Sequence, residues 1–459
     1  MSTLLSGLPE HPALTVLKAT AFLDTSMPEE ALALLEAING DEAPRAAALL
    51  GYIWLLQGRN HQALKELRRA HRHDPSDIDT IMNLAVSYWR IGSPKKAISF
   101  SRQAVALAPN RKDTVLALLD YLVRSGEITS ASAELKRLRD RNVAPLPEFG
   151  AMQAQIALRQ GDMKRASSTL KGAANLAKRE ENLVFAAELR GNAALVDHAR
   201  GRIDRSEARS LIKAYLKDAS GSTALVTMLA DITAATSEAR EVRAFASRLP
   251  KSMDSPECEG LSTRLSFLEL HFEEAVERAK TWCRNDPYDS SAAAIAVHLL
   301  GHWTEDWLMA SEIGLGAIKR TGSSDSLANI TAYALALAGR GDAGIEVLSR
   351  TGKLDYVRTA TMGLCRIARG EFREGMALYR TAADLADRER PDGSARALMT
   401  LYQAMALKRL PTVRDRDHVE IQATALPDVV LPNDWEDFVD FIFLREVAAR
   451  SGWEWPVLV

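Results

Sequence analysis

The sequence predicts an all-α chain in which helix–turn–helix pairs stack one on another as a solenoid. Glycine, alanine and proline recur in register at a period of 34 to 35 residues, and a fixed period of that length marks a repeat architecture. Ala, Leu and Arg dominate, and β-branched residues never form a long run, which favours helix on propensity alone. The chain is also long. Its 459 residues exceed what one hydrophobic core usually organises, whereas a repeat unit need bury its apolar face only against its neighbours.

The register is read from several columns. Gly58, Gly92, Gly126 and Gly161 lie 34, 34 and 35 residues apart, each followed five residues later by Ala63, Ala97, Ala131 or Ala166. Ala70, Ala104, Leu138 and Ala173 come seven further on, and Pro75 and Pro109 close the first two units. Ahead of the first two glycines stand Leu50 and Leu84, then Gly51 and Ala85, then Trp54 and Tyr88. The glycine can take positive φ where a first helix stops. Small residues such as Gly51 and Ala63 let two helices approach, with Trp54 or Tyr88 filling the space beside them. Ser93 is expected to cap the helix that carries Pro94 in its first turn, and Pro109 ends that helix.

These columns resemble the tetratricopeptide repeat, a helix–turn–helix of 34 residues. The resemblance is carried by 44–77, 78–111, 112–145 and 146–179, and extends more loosely along the rest. It implies a right-handed α-solenoid of roughly eleven helical pairs once every divergent copy is counted.

Taken in order, 1–43 holds a divergent first copy with Ala19, Phe22, Ala31 and Leu35, and 44–179 holds four well-formed units. Degenerate pairs fill 180–410. A run from Leu183 ends at Gly201 and is followed by 206–217, then 222–235 with 238–249. Ala275, Trp282 and Pro287 restore the later columns of a unit starting near Pro256, and 289–301 pairs with 306–320. Gly339 with Gly344, and Gly370 with Gly375, repeat the five-residue offset, the second with Tyr379 and Ala382. The last division is 411–459. Pro411, Pro427 and Pro432 bracket a stretch without helical period, and an amphipathic run over 434–450 follows, with Trp435, Phe438, Val439, Ile442 and Val447 on one face. It is expected to cap the last repeat, whose apolar face needs cover.

Composition narrows the function. Hydrophobic residues at 47% and charged residues at 26% describe an ordinary folded protein, not a disordered one. Net charge is −2, from 58 basic and 60 acidic residues, so no nucleic-acid partner is expected. Cys258, Cys283 and Cys365 are far apart in sequence and read as reduced thiols of a cytoplasmic protein, with neither a disulfide framework nor a zinc site. The opening MSTLLSGLPEHPAL lacks a basic segment followed by an apolar core, so no secretory signal is expected. No uncharged apolar stretch reaches ~20 residues, so no membrane insertion is expected. There is no phosphate loop, nucleophile elbow or dinucleotide fingerprint; no catalytic residue, metal or cofactor is expected.

By resemblance, the first helix of each pair lines a concave groove, which implies a protein or peptide partner. The groove-facing residues in the two best units are then Tyr52, Leu55, Met82, Val86 and Trp89, an apolar set suited to a partner's helix or extended segment. The other reading is that they pack on one another or on the chain's own start. Arg90, Arg124 and Arg159 recur near the end of successive first helices, and Asp79, Asp113 and Glu148, with Glu188 as a further member, near their beginnings. Together they give the groove a basic and an acidic edge, but the helix macrodipole favours the same placement without any partner. The lysine and asparagine clamp by which some members bind chaperone tails is incomplete. Asn83 matches one position, but Ala48, Tyr52, Asp113 and Ala117 stand at the others.

His298 and His302 are four apart, but Leu299 follows the first where a zinc protease helix needs glutamate; packing or surface positions are expected. Trp303 and Trp307 are expected in the core. The closing WEWPVLV either caps the array or docks into a partner as an aromatic anchor. The functional expectation is a scaffold or adaptor, in one version an accessory factor for a bacterial assembly or secretion machine. The alternatives are a ligand- or peptide-responsive regulatory solenoid and, last, an enzyme on an α/α scaffold.

Overall fold

The structure, a computed structural model, describes residues 12–25, 27–38, 44–140, 146–250, 252–253, 255, 258–352, 354–389, 393–410 and 437–452. The prolines bracketing 411–432, Trp435 and the closing WEWPVLV lie outside them. Among the described residues there are twenty-four helices, and the only extended pairing is an isolated bridge between Ala235 and Phe438. Twenty-two of the helices form eleven successive pairs, as the period predicts.

Contacts divide the chain into two compact units, Met1–Val143 and Ala144–Val459. The first pairs α1 (Pro12–Asp24) with α2 (Pro28–Glu36), α3 (Pro44–Leu56) with α4 (Asn60–His73), α5 (Ile78–Arg90) with α6 (Pro94–Leu107), and α7 (Lys112–Arg124) with α8 (Ile128–Asp140). The second begins with α9 (Pro147–Arg159) and α10 (Met163–Arg179), α11 (Leu183–Ala199) and α12 (Arg205–Asp218), and α13 (Thr223–Ile232) and α14 (Thr236–Ala246). It continues with α15 (Glu259–Leu268) and α16 (Phe272–Asn285), α17 (Ser290–Thr304) and α18 (Trp307–Thr321), α19 (Asp325–Leu337) and α20 (Gly341–Ser349), and α21 (Tyr356–Ala368) and α22 (Phe372–Glu389). Two unpaired helices follow, α23 (Ser394–Arg409) and α24 (Val439–Arg450).

The alanine columns are the seams of the pairs. Ala63, Ala97, Ala131 and Ala166 are each fully buried. Gly51 sits so close to α4 that a Cβ there would come within 2.7 Å of Leu67 Cδ2. In the turns inside the pairs, Gly58, Gly92, Gly126, Gly161, Gly201, Gly339 and Gly370 all have φ between +68° and +89°. Two further turns keep this left-handed residue without glycine, Leu270 (φ 66°) and Glu305 (φ 59°). Helix starts are held by Asp77, Asp162, Asp204, Ser222 and Asp306, whose side chains accept a backbone N–H three residues on. Ser93 differs from its expected role: its side chain makes no capping bond, and Pro94 alone marks that helix start.

The C-terminal helix departs from the expected end cap. It spans Val439–Arg450, with 434–436 of the expected run outside the described residues, and reaches back to earlier pairs of its own unit. The α13–α14 turn lacks a left-handed residue; its Thr233 and Ala235 are extended, and the Ala234 carbonyl accepts the Val439 N–H at 2.8 Å. Asp437 accepts hydrogen bonds from Thr236 and Ser237, which hold its carboxyl below the usual range. Phe443, fully buried, stacks on Trp303 at 5.9 Å and meets Phe267, Phe272 and His298 at 5.3, 5.0 and 5.7 Å. Glu305 then accepts from Arg409 and Ser451, which fastens α23 and α24 to the end of α17. First helices α15 and α17 thus meet a helix of the same chain.

Candidate partner-binding hollow

Among the described residues, the corresponding face of the first unit is open. Successive first helices α3 and α5, with the loops entering α5 and α7, enclose a hollow of about 710 Å³ lined by Arg45, Ala48, Leu49, Tyr52, Asp74, Asp77, Asp79, Thr80, Met82, Asn83, Arg111 and Asp113. Tyr52 is 40% exposed, and Met82 and Asn83 are half-buried. Spacing explains the convergence. Arg45, Ala48, Leu49 and Tyr52 lie on one face of α3 at helical intervals, opposite Asp79, Met82 and Asn83 of α5.

The acidic rim is held from within. Arg111 donates to Asp79 at 2.7 Å and to Asp113 at 2.9 Å, and the guanidinium hydrogen bond holds the Asp113 carboxyl below its usual range. Asp74 is lowered chiefly by the Ser76 hydroxyl, and Asp77 caps α5. Among the lining residues four aspartates face two arginines, so the hollow keeps an acidic excess around Tyr52 and Met82.

The other predicted groove residues lie elsewhere. Leu55 is buried and Val86 half-buried, neither in the lining of the hollow. Trp89 is buried, stacked on Tyr121 at 4.6 Å beneath the Arg124 guanidinium at 5.4 Å; it joins one first helix to the next. Arg90 donates to the Leu55 carbonyl at 2.7 Å, a C-terminal acceptor of α3 that also takes the Gly58 N–H at 3.1 Å. The recurring arginines of the first unit are therefore ties between repeats. In the second unit Arg159 donates to the Thr321 carbonyl at 3.4 Å, and burial lowers its pKa. Glu188 accepts from Ser222 of the following pair at 2.7 Å. Sequence reasoning left Arg45, Leu49, Asp74, Asp77, Thr80 and Arg111 out of the site. Both arginines were readable: Arg45 stands 34 residues before Asp79, in the column of Asp79 and Asp113, and Arg111 stands 34 residues after Asp77.

His298 and His302 sit among aromatic rings of the second unit, and Trp303 and Trp307 are buried there, the core position expected. Burial pushes the Cys365 thiol up to about 12 and raises that of Cys283, so neither carries an appreciable thiolate at neutral pH. Among the described residues no helix is long and apolar enough to cross a membrane.

With the helices, seams and turn glycines in place, the comparison with known families is specific: residues 78–111 match the model of the tetratricopeptide repeat. That segment is a tetratricopeptide repeat. It comprises α5 and α6, the pair that supplies Asp79, Met82 and Asn83 to the hollow. Solved structures similar to the chain include a tetratricopeptide repeat protein from Parabacteroides merdae, at 14% identity and TM-score 0.43, covering 60% of this chain and 98% of that one. A thermophilic tetratricopeptide repeat protein from Thermus thermophilus shares 20% identity at TM-score 0.31, over 40% and 98% of the two chains. Yeast Tom70 shares 11% at TM-score 0.36, over 90% and 97%. No curated protein matches the chain.

Proposed function

We propose that the protein is a scaffold that holds a peptide or helical segment of another protein in the hollow of its first unit. One observation carries this reading: Tyr52, with Met82 beside it, presents an apolar surface to solvent in a concavity with an acidic excess. A buried aromatic anchor ringed by polar groups is the usual form of a protein-binding hot spot, and concave first-helix faces suit helix or strand guests. The chemistry favours a guest that seats an apolar side chain against Tyr52 and Met82 and carries lysine or arginine beside it, facing Asp79 and Asp113.

The test is affinity capture from native lysate with quantitative mass spectrometry, run with wild-type protein and with Tyr52→Glu/Met82→Glu. Both positions are partly exposed, so the variant keeps its helical content. The proteins retained by the wild type should fall about tenfold or more with the variant, as loss of a hot spot does. An unchanged set of captured proteins would reject this hollow.

A further inference from the structure

We infer that the second unit holds a separate binding site for a small uncharged molecule with a compact apolar body and one hydrogen-bonding end. The site is a cavity of about 250 Å³ between α17, α19, α21, α22 and α23. An apolar cavity of ~150 Å³ already accepts benzene, so this one has room for a ring with a substituent. Each wall is one helix face. His298 and His302 lie four apart on α17, Asn329 and Tyr333 on α19, and Leu398, Tyr402 and neighbours on α23. The cavity reaches the surface beside Val357, which is 40% exposed.

Chemistry at the inner end points to a ligand. His302 is 1% exposed and lines the cavity, yet both its ring nitrogens lack a hydrogen-bond partner, as does Asn329 Oδ1. Buried polar groups are nearly always bonded, so an orphaned imidazole on a cavity wall calls for a partner. Loss of water holds His302 well below its ordinary pKa, so the ring offers one donor and one acceptor. A guest hydroxyl or amide satisfies either. The remaining walls are mostly apolar or aromatic, among them Ile330, Tyr333, Tyr356, Ala360 and Leu398, with Thr361 and Gln403 as uncharged polar members. No carboxylate, lysine or arginine lines the cavity, so a charged guest would lose its water without gaining a counter-ion. Because α23 supplies one wall, a guest also ties that helix to α17 and α21.

The site is tested on the full chain with phenol, toluene and benzoate as probes, by titration calorimetry and thermal shift. Phenol should raise the melting temperature saturably, because a ligand of the folded state stabilises it. Toluene should bind about tenfold more weakly, and benzoate not at all. Ala360→Phe, which fills the cavity, should abolish phenol binding. His302→Leu, which removes both nitrogens while keeping an apolar wall, should leave toluene bound and erase the advantage of phenol; it carries the test if Ala360→Phe fails to fold. Tyr52→Glu should leave phenol binding intact, which separates this site from the hollow of the first unit. Absence of saturable phenol binding, equal binding of phenol and toluene, or wild-type binding by a folded Ala360→Phe protein overturns the inference.

Discussion

Single residues of one chemical type serve different ends here, and burial decides which. Tyr52 and Trp89 both belong to first helices and both suit a binding groove on sequence grounds. Tyr52 faces solvent; Trp89 is enclosed by Tyr121 and Arg124 of the next unit. The histidines of α17 make a measurable case. Burial pushes His298 down to about 4, against about 6.5 in an unfolded chain. Above pH 6.5 both states are neutral and this group contributes no pH dependence. Below it the unfolded state takes up a proton that the folded state refuses, so stability falls as pH drops from about 6.5 towards 4. The slope from this residue is up to about 1.4 kcal/mol per pH unit. Denaturant melts of His298→Phe and wild type between pH 4.5 and 7 should show a shallower acid loss in the variant; equal slopes contradict this account of His298. Such a group could not be recognised from the pair His298 and His302 in sequence, because the rings that pack on them, Tyr402 and Phe443, lie a hundred residues or more further along.

At the scale of elements, α24 is the largest departure from expectation. A helix here was legible, but its buried face was not, since Phe441, Phe443 and Leu444 are buried while the expected Phe438 and Ile442 are half-buried. Nor was its partner, an aromatic nest assembled from α15, α16 and α17 that receives Phe443. An extended α13–α14 turn accepts the chain just before it, and no local sequence signal announces that pairing. Phe443→Ala removes a fully buried ring, a change that costs about 3–5 kcal/mol in a well-packed core. Hydrogen exchange should then show the amides of Val439–Arg450 exchanging far faster while those of α3 and α5 keep wild-type protection. Unchanged protection of α24 would mean that Phe443 does not hold it. The turns teach a related lesson. The glycine column breaks between Gly201 and Gly339, yet Leu270 and Glu305 keep the left-handed conformation. The repeat there was harder to read because a non-glycine residue bears the turn, at a cost of about 1 kcal/mol or more, although the helical pair persists.

Across the whole chain, eleven pairs follow from one period, and the number was legible because each pair needs only its neighbours to bury its apolar face. Which inner face stays available was not legible, since that depends on where α23 and α24 return. In the second unit these helices lie on α15, α17, α19 and α21; in the first unit Tyr52 and Met82 remain accessible beside an acidic rim. The proposed site for a guest protein is therefore on the first unit. The most direct measurement is the hydrogen-exchange footprint of the full chain with and without its captured partner. New protection on α3 around Ala48 and Tyr52, and on α5 around Thr80 to Asn83, is the predicted result. Protection confined to residues beyond 144, with α3 and α5 unchanged, would contradict it.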